Sequence, residues 1–316
     1  MNIPLIDGAF LIDNSGLEKL RCPRLYQHSE VDRLSPVAAK TGANFGSTIH
    51  RGLETRYKFV GNKAVDPTTK VLIESNMHEW LEANPQPQHE FRNFNHACKV
   101  MEVYNTIYKD ESFEIVKLPM NGKPIIEASF ALPFGQVQNI PIIYCGKIDL
   151  GIKDHNGIWS FDHKTAFMFG ESFDKQMAMD GGQLGYCWAL GQTLGIKPQG
   201  YIIDAIRIRR PKVADEFSGV APVDRTDFKR IPFYVTDDML DEWKKDVLSH
   251  ITNLFHHFDR SYFPRARWQC VTKYGPCEFF DVCSTPREQR PLILQSGMYE
   301  PNTWTAGLKT TETKES

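Results

Sequence analysis

The sequence predicts a mixed α/β fold in which one sheet is flanked by helices. Helical and strand patterns alternate through the middle of the chain, and a strong turn signal joins two of the strands. Of the 316 residues, 41% are hydrophobic and 24% are charged, which supplies a large core for a globular protein. Helices and strands in this order are typical of domains built around one sheet.

The first predicted element is an amphipathic helix near 45–59, where Ile49, Leu53 and Tyr57 recur every fourth residue. The other predicted elements are a helix near 95–108, strands over 125–133, 142–152 and 157–165, a helix over 173–194, a strand over 201–210 and a helix over 237–258. Residues 1–306 are expected to form a single domain. Residues 307–316 are polar and lack aromatics, so they are expected to be a disordered tail.

Charge and hydropathy narrow the classes of function. The formal net charge is -2, so a nucleic acid would have to be bound by a local basic patch rather than by the field of the whole protein. No apolar run is long enough to span a bilayer, and the N-terminus lacks the basic start of a signal peptide, so a cytoplasmic protein without membrane contact is expected. Seven cysteines in such a protein favour metal binding, redox chemistry or burial over disulfides.

The turn signal between the second and third predicted strands is Asn156-Gly157. A type I′ turn requires positive φ at both central positions, which these residue types tolerate. With this turn, the numbers of paired residues sum to 313. Asp149 is then expected opposite Lys164, and Gly151 opposite Asp162.

Alternation along these two strands sorts their residues onto two faces of the sheet. The predicted polar face contains Lys147, Asp149, Gly151, Ser160, Asp162 and Lys164. The predicted apolar face contains Tyr144, Ile148, Leu150, Ile152, Trp159 and Phe161. A slip of one residue would destroy this sorting on both strands.

The polar face carries a pattern suited to metal-dependent chemistry. Asp149 and Asp162 are expected as diagonal neighbours roughly 7 Å apart at Cβ. Carboxylates converging from that distance can share a cation with bonds of about 2.1 Å, the Mg²⁺ length. Lys164 beside the cation would stabilise transition-state charge or orient a water. The competing interpretation is an exposed hairpin in which Asp149 and Lys164 form a surface ion pair of little energetic weight.

The spacing of Asp149 and the triplet Asp162-His163-Lys164 resembles the PD-(D/E)XK nuclease superfamily, in its RecB-like branch. The sequence GKID around the first aspartate is similar to the G-x-x-D of that branch. The segment GSTIHRGLE around His50 resembles the branch's helical motif, in which a histidine is a metal ligand.

A second helical segment, GGQLGYCWAL, is similar to the branch's glutamine–tyrosine motif. Its Gln183 and Tyr186 are three residues apart where the family has four, so Tyr186 departs from the pattern. Glu127 corresponds to an acidic position found in some members. Each residue alone is common in unrelated roles, and the order His, Asp, Asp-x-Lys, Gln makes the set specific.

The resemblance implies hydrolysis of DNA phosphodiester bonds with Mg²⁺ or Mn²⁺. The implied catalytic residues are Asp149, Asp162, Lys164, Gln183 and Tyr186. The implied metal ligands are His50, Asp149, Asp162 and His163, the last through its backbone carbonyl. By analogy with the family, the expected activity is that of an exonuclease acting on ends of single-stranded DNA, with recombination among the compatible pathways. A DNA endonuclease, a non-catalytic DNA-end-binding iron–sulfur protein and an RNA substrate stay open.

One early and three late cysteines resemble the iron–sulfur nucleases of the same branch, such as AddB and the CRISPR-associated members. They are Cys22, Cys270, Cys277 and Cys283, with the late three spaced C-x6-C-x5-C. The resemblance implies a [4Fe–4S] cluster that joins both ends of the chain in a collar around the nuclease core. Zinc is the competing metal, but zinc sites usually show close pairs such as C-x2-C. The gap between Cys270 and Cys277 is longer than in the family.

Basic and aromatic residues in two segments are candidate DNA contacts. They are Arg24 and Tyr26 beside the first cysteine, and Arg207 and Arg209 on the strand over 201–210. Arginines there would neutralise phosphates. Further basic residues nearby are Arg210, Lys212, Arg265 and Arg267. A solvated strand face is the alternative for any one arginine.

Overall fold

A computed structural model describes most of the chain, namely residues 3–37, 41–84, 91–211, 220–272 and 275–302. The chain divides into two compact units. The terminal unit comprises Met1–Ala39, Ser129–Gly146 and Asp241–Ser316. The central unit comprises Lys40–Ala128 and Lys147–Leu240. The expected tail over 307–316 and Lys212 lie outside the described residues.

The strands of the described residues are β1 (Phe10–Ile12), β2 (Leu34–Pro36), β3 (Glu114–Ile115), β4 (Ile126–Val137), β5 (Ile140–Asp154), β6 (Gly157–Ala166), β7 (Gly200–Arg207), β8 (Phe228–Tyr234), β9 (Val271–Thr272), β10 (Gly275–Pro276) and β11 (Tyr299–Pro301). The helices are α1 (Asn14–Lys19), α2 (Pro23–Tyr26), α3 (Thr41–Val60), α4 (Pro67–Ala83), α5 (Phe94–Ile107), α6 (Glu171–Ala178), α7 (Gly181–Leu194), α8 (Asp237–Asp259), α9 (Phe280–Ser284) and α10 (Arg290–Leu294).

The main sheet is mixed, which confirms the predicted α/β architecture. In the central unit, β5 pairs antiparallel with β6, β6 pairs parallel with β7, and β7 pairs antiparallel with β8. Helix α7 packs on β6 and β7, and α3 contacts β6. In the terminal unit, β1 pairs parallel with the first part of β5. The parallel β6–β7 pair requires a crossover connection, which α6 and α7 supply.

The predicted register of the β5–β6 hairpin is wrong by two residues. Asp154 pairs with Gly157, so partner numbers sum to 311 rather than 313. The Asp154 carboxylate accepts hydrogen bonds from the backbone N–H of Asn156 at 2.8 Å and of Gly157 at 3.1 Å. It also accepts one from Trp159 Nε1 at 2.9 Å. This side chain closes the turn one residue earlier than the Asn-Gly signal indicates.

A shift of two residues leaves every side chain on its predicted face, because the side-chain period of a strand is two. It does change the facing partners. Continued by one pair, the observed register puts Asp149 opposite Asp162 rather than opposite Lys164. The predicted Asp149–Lys164 pair is therefore wrong, and Lys164 forms an ion pair with Asp162 instead, at 2.8 Å.

The segment predicted as one helix over 173–194 is two helices, α6 and α7. The chain turns at Asp180, whose φ of -75° and ψ of 103° are not helical. The Asp180 side chain accepts a hydrogen bond from the backbone N–H of Gly182 and so caps the second helix. The cap and the two glycines after it separate the two helices, although the residues on either side have a continuous helical periodicity.

The core of the central unit lies between the helices α3 to α5 and the apolar face of the hairpin. Ile49, Leu53 and Tyr57 on α3 are buried, as their spacing predicts. They share a hydrophobic cluster with the apolar hairpin residues Leu150, Ile152, Trp159 and Phe161. A Cβ on Gly52 would lie 2.7 Å from Met77 Sδ, so the close approach of α3 to α4 depends on this glycine.

The terminal unit has its own small core around the first and last cysteine segments. Its buried members are Cys22, Leu25, Ala266, Phe279, Val282 and Tyr299. Phe279 and Tyr299 stack at 5.2 Å with an interplanar angle of 8°. Helix α8 buries one apolar face, including Trp243, Val247 and Phe255.

Within the described residues, no helix is both long and apolar enough to cross a bilayer.

Candidate active site

Three potential metal ligands converge in the central unit from α3, β4 and β5. His50 Nδ1 lies 3.3 Å from Asp149 Oδ2 and 3.9 Å from Glu127 Oε1. The ligand atoms of these three residues all lie within 4.8 Å of one another. Two carboxylates with one imidazole form a donor set that suits Mg²⁺ or Mn²⁺. The residues present therefore fit a divalent cation.

Glu127 joins this group although its sequence signal is weak. Its φ is +48°, a left-handed conformation that a non-glycine residue adopts at a cost of about 1–3 kcal/mol. The carboxylate is also held by Lys147, whose Nζ lies 2.5 Å from Oε2. Backbone strain at a converging carboxylate is typical of functional positions. The only signal for Glu127 in the sequence was an acidic residue on the strand before the hairpin.

Among the described residues, the predicted ligand Asp162 is outside this converging group, although its charge acts on both His50 and Asp149. Its side chain is almost fully buried, and Lys164 Nζ lies 2.8 Å from Oδ2. Burial of Asp162 argues against the competing interpretation of an exposed hairpin. The Asp149 Oδ2 atom accepts a hydrogen bond from the His163 backbone N–H at 3.1 Å. The strand that carries the D-x-K triplet thus fixes the orientation of the Asp149 carboxylate.

The His163 imidazole is directed into the core of the central unit. Its Nδ1 lies 2.8 Å from Asp204 Oδ2, and only 4% of the residue is exposed. The ring stacks on Tyr57 with centroids 5.8 Å apart. The side chain is therefore engaged by Asp204, and only the backbone of His163 is available to a cation.

Behind His163 lies a buried polar network that sequence reasoning missed. Asp204 also accepts hydrogen bonds from Tyr104 Oη at 2.7 Å and from Arg230 Nε at 3.1 Å. Arg230 in turn donates two hydrogen bonds to Glu111, at 2.7 and 2.9 Å. The one sequence signal was an aspartate inside the otherwise apolar strand YIIDAI. The network links α5, β7 and β8 to the strand of the D-x-K triplet.

The charges at the site shift each other's pKa. Burial lowers the pKa of His50, but the Asp149 and Glu127 carboxylates outweigh burial and raise it to about 9. Burial raises the pKa of Asp149, and the Asp162 and Glu127 charges add to that rise against the effect of His50. For Lys164, burial opposes the charge, but Asp162 and Asp149 raise the pKa above its usual range. Three clustered carboxylates thus favour any cation that enters, and Lys164 stays protonated at neutral pH.

The family indicated by the order of the motifs agrees with a family model that matches most of the chain. A sequence model of the PD-(D/E)XK nuclease superfamily matches residues 15–284, which is more than half of the chain. The chain belongs to the PD-(D/E)XK nuclease superfamily. Membership makes it a nuclease, a hydrolase whose family uses divalent metals.

Solved structures are also similar to this nuclease. One is a candidate exonuclease from Eubacterium rectale, at 13% identity and a TM-score of 0.45, over 87% of this chain and 94% of that one. Another is the protein SSO0001, at 8% identity and a TM-score of 0.31, over 72% of this chain and 79% of that one. No curated protein sequence matches the nuclease. At these identities and scores, family membership rests on the sequence model.

The glutamine–tyrosine segment of the nuclease lies on α7. Gln183 is 1% exposed, and within the described residues its Oε1 has no hydrogen-bond partner. A buried polar atom without a partner costs about 1–3 kcal/mol. Tyr186 contributes least among the groups that raise the pKa of Lys164.

One pocket of the terminal unit is lined by all four cysteines that were predicted as cluster ligands. Cys22, Cys270, Cys277 and Cys283 share it with Arg21, Leu25, Arg265 and Phe279. All four are free thiols. Burial raises the pKa of Cys277 and Cys283, and the neighbouring thiols add to this rise. Among the described residues, their sulfur atoms do not form a group that converges within 4.8 Å.

The candidate DNA contacts are partly engaged within the protein. Arg207 Nε and Arg209 Nε lie 2.7 and 2.5 Å from Asp227 Oδ1. Arg24 Nε donates a hydrogen bond to the Phe263 carbonyl at 2.8 Å. Tyr26 is only 3% exposed, so its side chain offers almost no surface to DNA.

Proposed function

We propose that this nuclease is a Mg²⁺- or Mn²⁺-dependent exonuclease that degrades single-stranded DNA from its ends. The observation that carries the proposal is the convergence of His50, Glu127 and Asp149 next to the Asp162–Lys164 pair. This combination offers a cation site and a fixed positive charge on one polar surface. The preference for DNA ends and for single strands comes from the family resemblance.

In this mechanism the chain's own residues hold and orient the reacting groups. His50, Glu127, Asp149 and Asp162 would hold the cation, with the His163 carbonyl as a further ligand. When bound, a divalent cation acidifies a water and neutralises charge on the phosphate. Lys164, kept cationic by Asp162 and Asp149, stabilises the negative charge that develops on the phosphate oxygens. Gln183 and Tyr186 would position Lys164 and the β6 strand.

The test is digestion of labelled linear single-stranded DNA with Mn²⁺. Shortening that stops with EDTA and with Lys164→Ala supports the proposal. Lys153→Ala is the matched control, because Lys153 is an exposed lysine on the same hairpin. Binding without cleavage by the wild type would instead support the non-catalytic DNA-end-binding protein.

Substrates with blocked ends, without ends or made of RNA distinguish the remaining alternatives. Strands blocked separately at the 5′ and the 3′ end report the polarity of digestion. Cutting of closed circular DNA would favour an endonuclease, and equal cutting of an RNA oligonucleotide of the same sequence would overturn the DNA assignment.

We also propose that Cys22, Cys270, Cys277 and Cys283 hold a [4Fe–4S] cluster in the terminal unit, as a structural collar. Four thiols around one pocket suit a cluster, whose ligands are cysteine thiolates. A tetrahedral Zn²⁺ with bonds of about 2.3 Å would hold its sulfurs about 3.8 Å apart. Free thiols and a cluster suit the reducing cytoplasm, where we place the protein.

The cluster has its own test. Protein purified without oxygen should contain about four irons per chain and be brown. A colourless protein with one zinc would overturn the assignment. We expect Cys277→Ala to reduce solubility and iron content, whereas Cys98→Ala, outside the pocket, should leave the iron content unchanged.

A further inference from the structure

A second pocket lies in the terminal unit and shares no lining residue with the cysteine pocket. It has a volume of about 480 Å³. Its polar lining comes from α8 and the residue that follows it, namely His250, Asn253, His256, His257 and Arg260. Leu20, Pro23 and Leu254 complete it. Four of its eight lining residues are histidine or arginine, and within the described part of the chain no carboxylate lines it.

The basic groups of this pocket are spread along the chain rather than gathered at one point. At a rise of about 1.5 Å per residue, His250 and Arg260 are separated by about 15 Å along the helix direction. These histidines are absent from the donor groups that converge within 4.8 Å among the described residues. A row of donors over this distance does not suit one metal ion. It suits an extended polyanion with a repeating charge.

The fixed positive charge of the pocket is the Arg260 guanidinium, and the histidines add hydrogen-bond donors. In the described residues, neither the three pocket histidines nor Arg260 takes part in an ion pair, whereas Arg207 and Arg209 are paired with Asp227. Burial lowers the pKa of His257, and the nearby Arg260 and His256 lower it further. An anion in the pocket would pair with Arg260 and accept hydrogen bonds from the histidine rings.

An exposed tyrosine, Tyr262, lies two residues after Arg260 in the chain. The Tyr262 backbone N–H donates a hydrogen bond to the His257 carbonyl at 3.0 Å, which ties this tyrosine to the pocket. Its side chain is 61% exposed, and the Arg24 guanidinium lies 5.9 Å from the ring centroid. Exposed aromatics beside a basic groove bind single-stranded nucleic acid, because unpaired bases stack on them.

We propose that this pocket binds successive phosphates of a single-stranded nucleic acid, with a base stacked on Tyr262. The nucleic acid is identified by this pairing of spread hydrogen-bond donors, one of them the Arg260 guanidinium, with an exposed aromatic ring. The inference deepens the proposed function and rests on it for the choice of polyanion. It adds a strand-holding site in the terminal unit to the cation site of the central unit.

The test measures binding of a labelled single-stranded oligonucleotide by fluorescence anisotropy, in EDTA and over a series of salt concentrations. For every phosphate that a variant no longer binds, the slope of log K against log salt should become shallower by about 0.7. The double variant His257→Gln/Arg260→Gln should bind at least tenfold more weakly and show a shallower slope. Lys245→Gln, an exposed lysine on α8 outside the pocket, should behave as the wild type.

The aromatic contribution has a matched control in Tyr234, which is 62% exposed against 61% for Tyr262. Tyr262→Ala should weaken binding of the single strand about tenfold. It should not weaken binding of a duplex of the same length, whose bases are already stacked. Tyr234→Ala should have no effect on either.

Several outcomes would overturn the inference. One is wild-type affinity and salt slope in the double variant, with thermal melting showing that it is folded. Others are an equally weakened affinity with Lys245→Gln, or displacement of the oligonucleotide by inorganic phosphate, which would make an isolated anion the ligand. Metal-dependent cleavage of a small phosphodiester, bis(p-nitrophenyl) phosphate, tests the proposed function separately, since this substrate has a single phosphate and no neighbouring nucleotides for a strand-holding site to bind.

Discussion

Asp204 offers a way to test whether the buried network supports the cation site. The carboxylate is fully buried and is contacted by His163 Nδ1 at 2.8 Å, Tyr104 Oη at 2.7 Å and Arg230 Nε at 3.1 Å. Asp204→Asn keeps the volume and one acceptor oxygen but removes the charge. The backbone N–H of His163 donates a hydrogen bond to the Asp149 carboxylate. If His163 is held less firmly, the Asp149 carboxylate should therefore lose its orientation.

The structure sets the expected magnitudes. Removing one partner of a buried ion pair costs about 3–5 kcal/mol. Arg230 keeps its two hydrogen bonds to Glu111, so we expect the lower end, about 3 kcal/mol. For a chain of this size that corresponds to a fall in Tm of roughly 6 °C. Loss of a group that orients a metal ligand lowers metal affinity or activity by about 10- to 100-fold.

The assay compares Asp204→Asn with Asp227→Asn at a temperature where both are folded. Asp227 is also fully buried and also binds arginines, but it contacts Arg207 and Arg209 rather than His163. Both variants should lose stability in thermal melting. Only Asp204→Asn should weaken Mn²⁺ binding by calorimetry and lower kcat/KM. Equal Mn²⁺ affinity and equal activity in the two variants would refute the reasoning.

Three further changes are predicted. Glu127→Gln should weaken Mn²⁺ binding in calorimetry at least tenfold, because the amide removes one anionic ligand from the group of three; unchanged Mn²⁺ binding in this variant would exclude Glu127 as a ligand. Acid unfolding should depend on Asp204, for which burial opposes ionisation but Arg230 and His163 lower the pKa to about 2. A carboxyl whose pKa is lowered on folding stabilises the protein above about pH 4, and this stabilisation disappears as pH falls towards 2. In Asp204→Asn, the free energy of unfolding should therefore change less with pH between these values than in the wild type. An equal change with pH in both proteins would contradict this. Gly200→Ala should prevent soluble expression, since its Cβ would lie 1.9 Å from the Phe233 carbonyl oxygen; a soluble variant with wild-type Tm would show that β7 and β8 can separate at no cost.

The sequence by itself determined the local structure and much of the candidate site. Apolar residues at every fourth position placed α3, and alternation in the hairpin separated its two faces. The order of His50, Asp149 and the D-x-K triplet identified the polar surface. These inferences hold because helix and strand periods are local properties of the chain. Even the wrong register preserved the faces, since the error was an even number of residues.

Tertiary structure alone decided the remaining features. The Asp154 side chain shifted the turn by one residue, and the Asp180 cap separated α6 from α7. Glu127 has a left-handed φ and lies with His50 and Asp149 in the group of potential metal ligands. The support for His163 comes from Tyr104, Asp204 and Arg230, which are far apart in the chain and meet only when the helices pack on the sheet. Side-chain hydrogen bonds and long-range ion pairs depend on which surfaces become buried together. No local period of the sequence records that information.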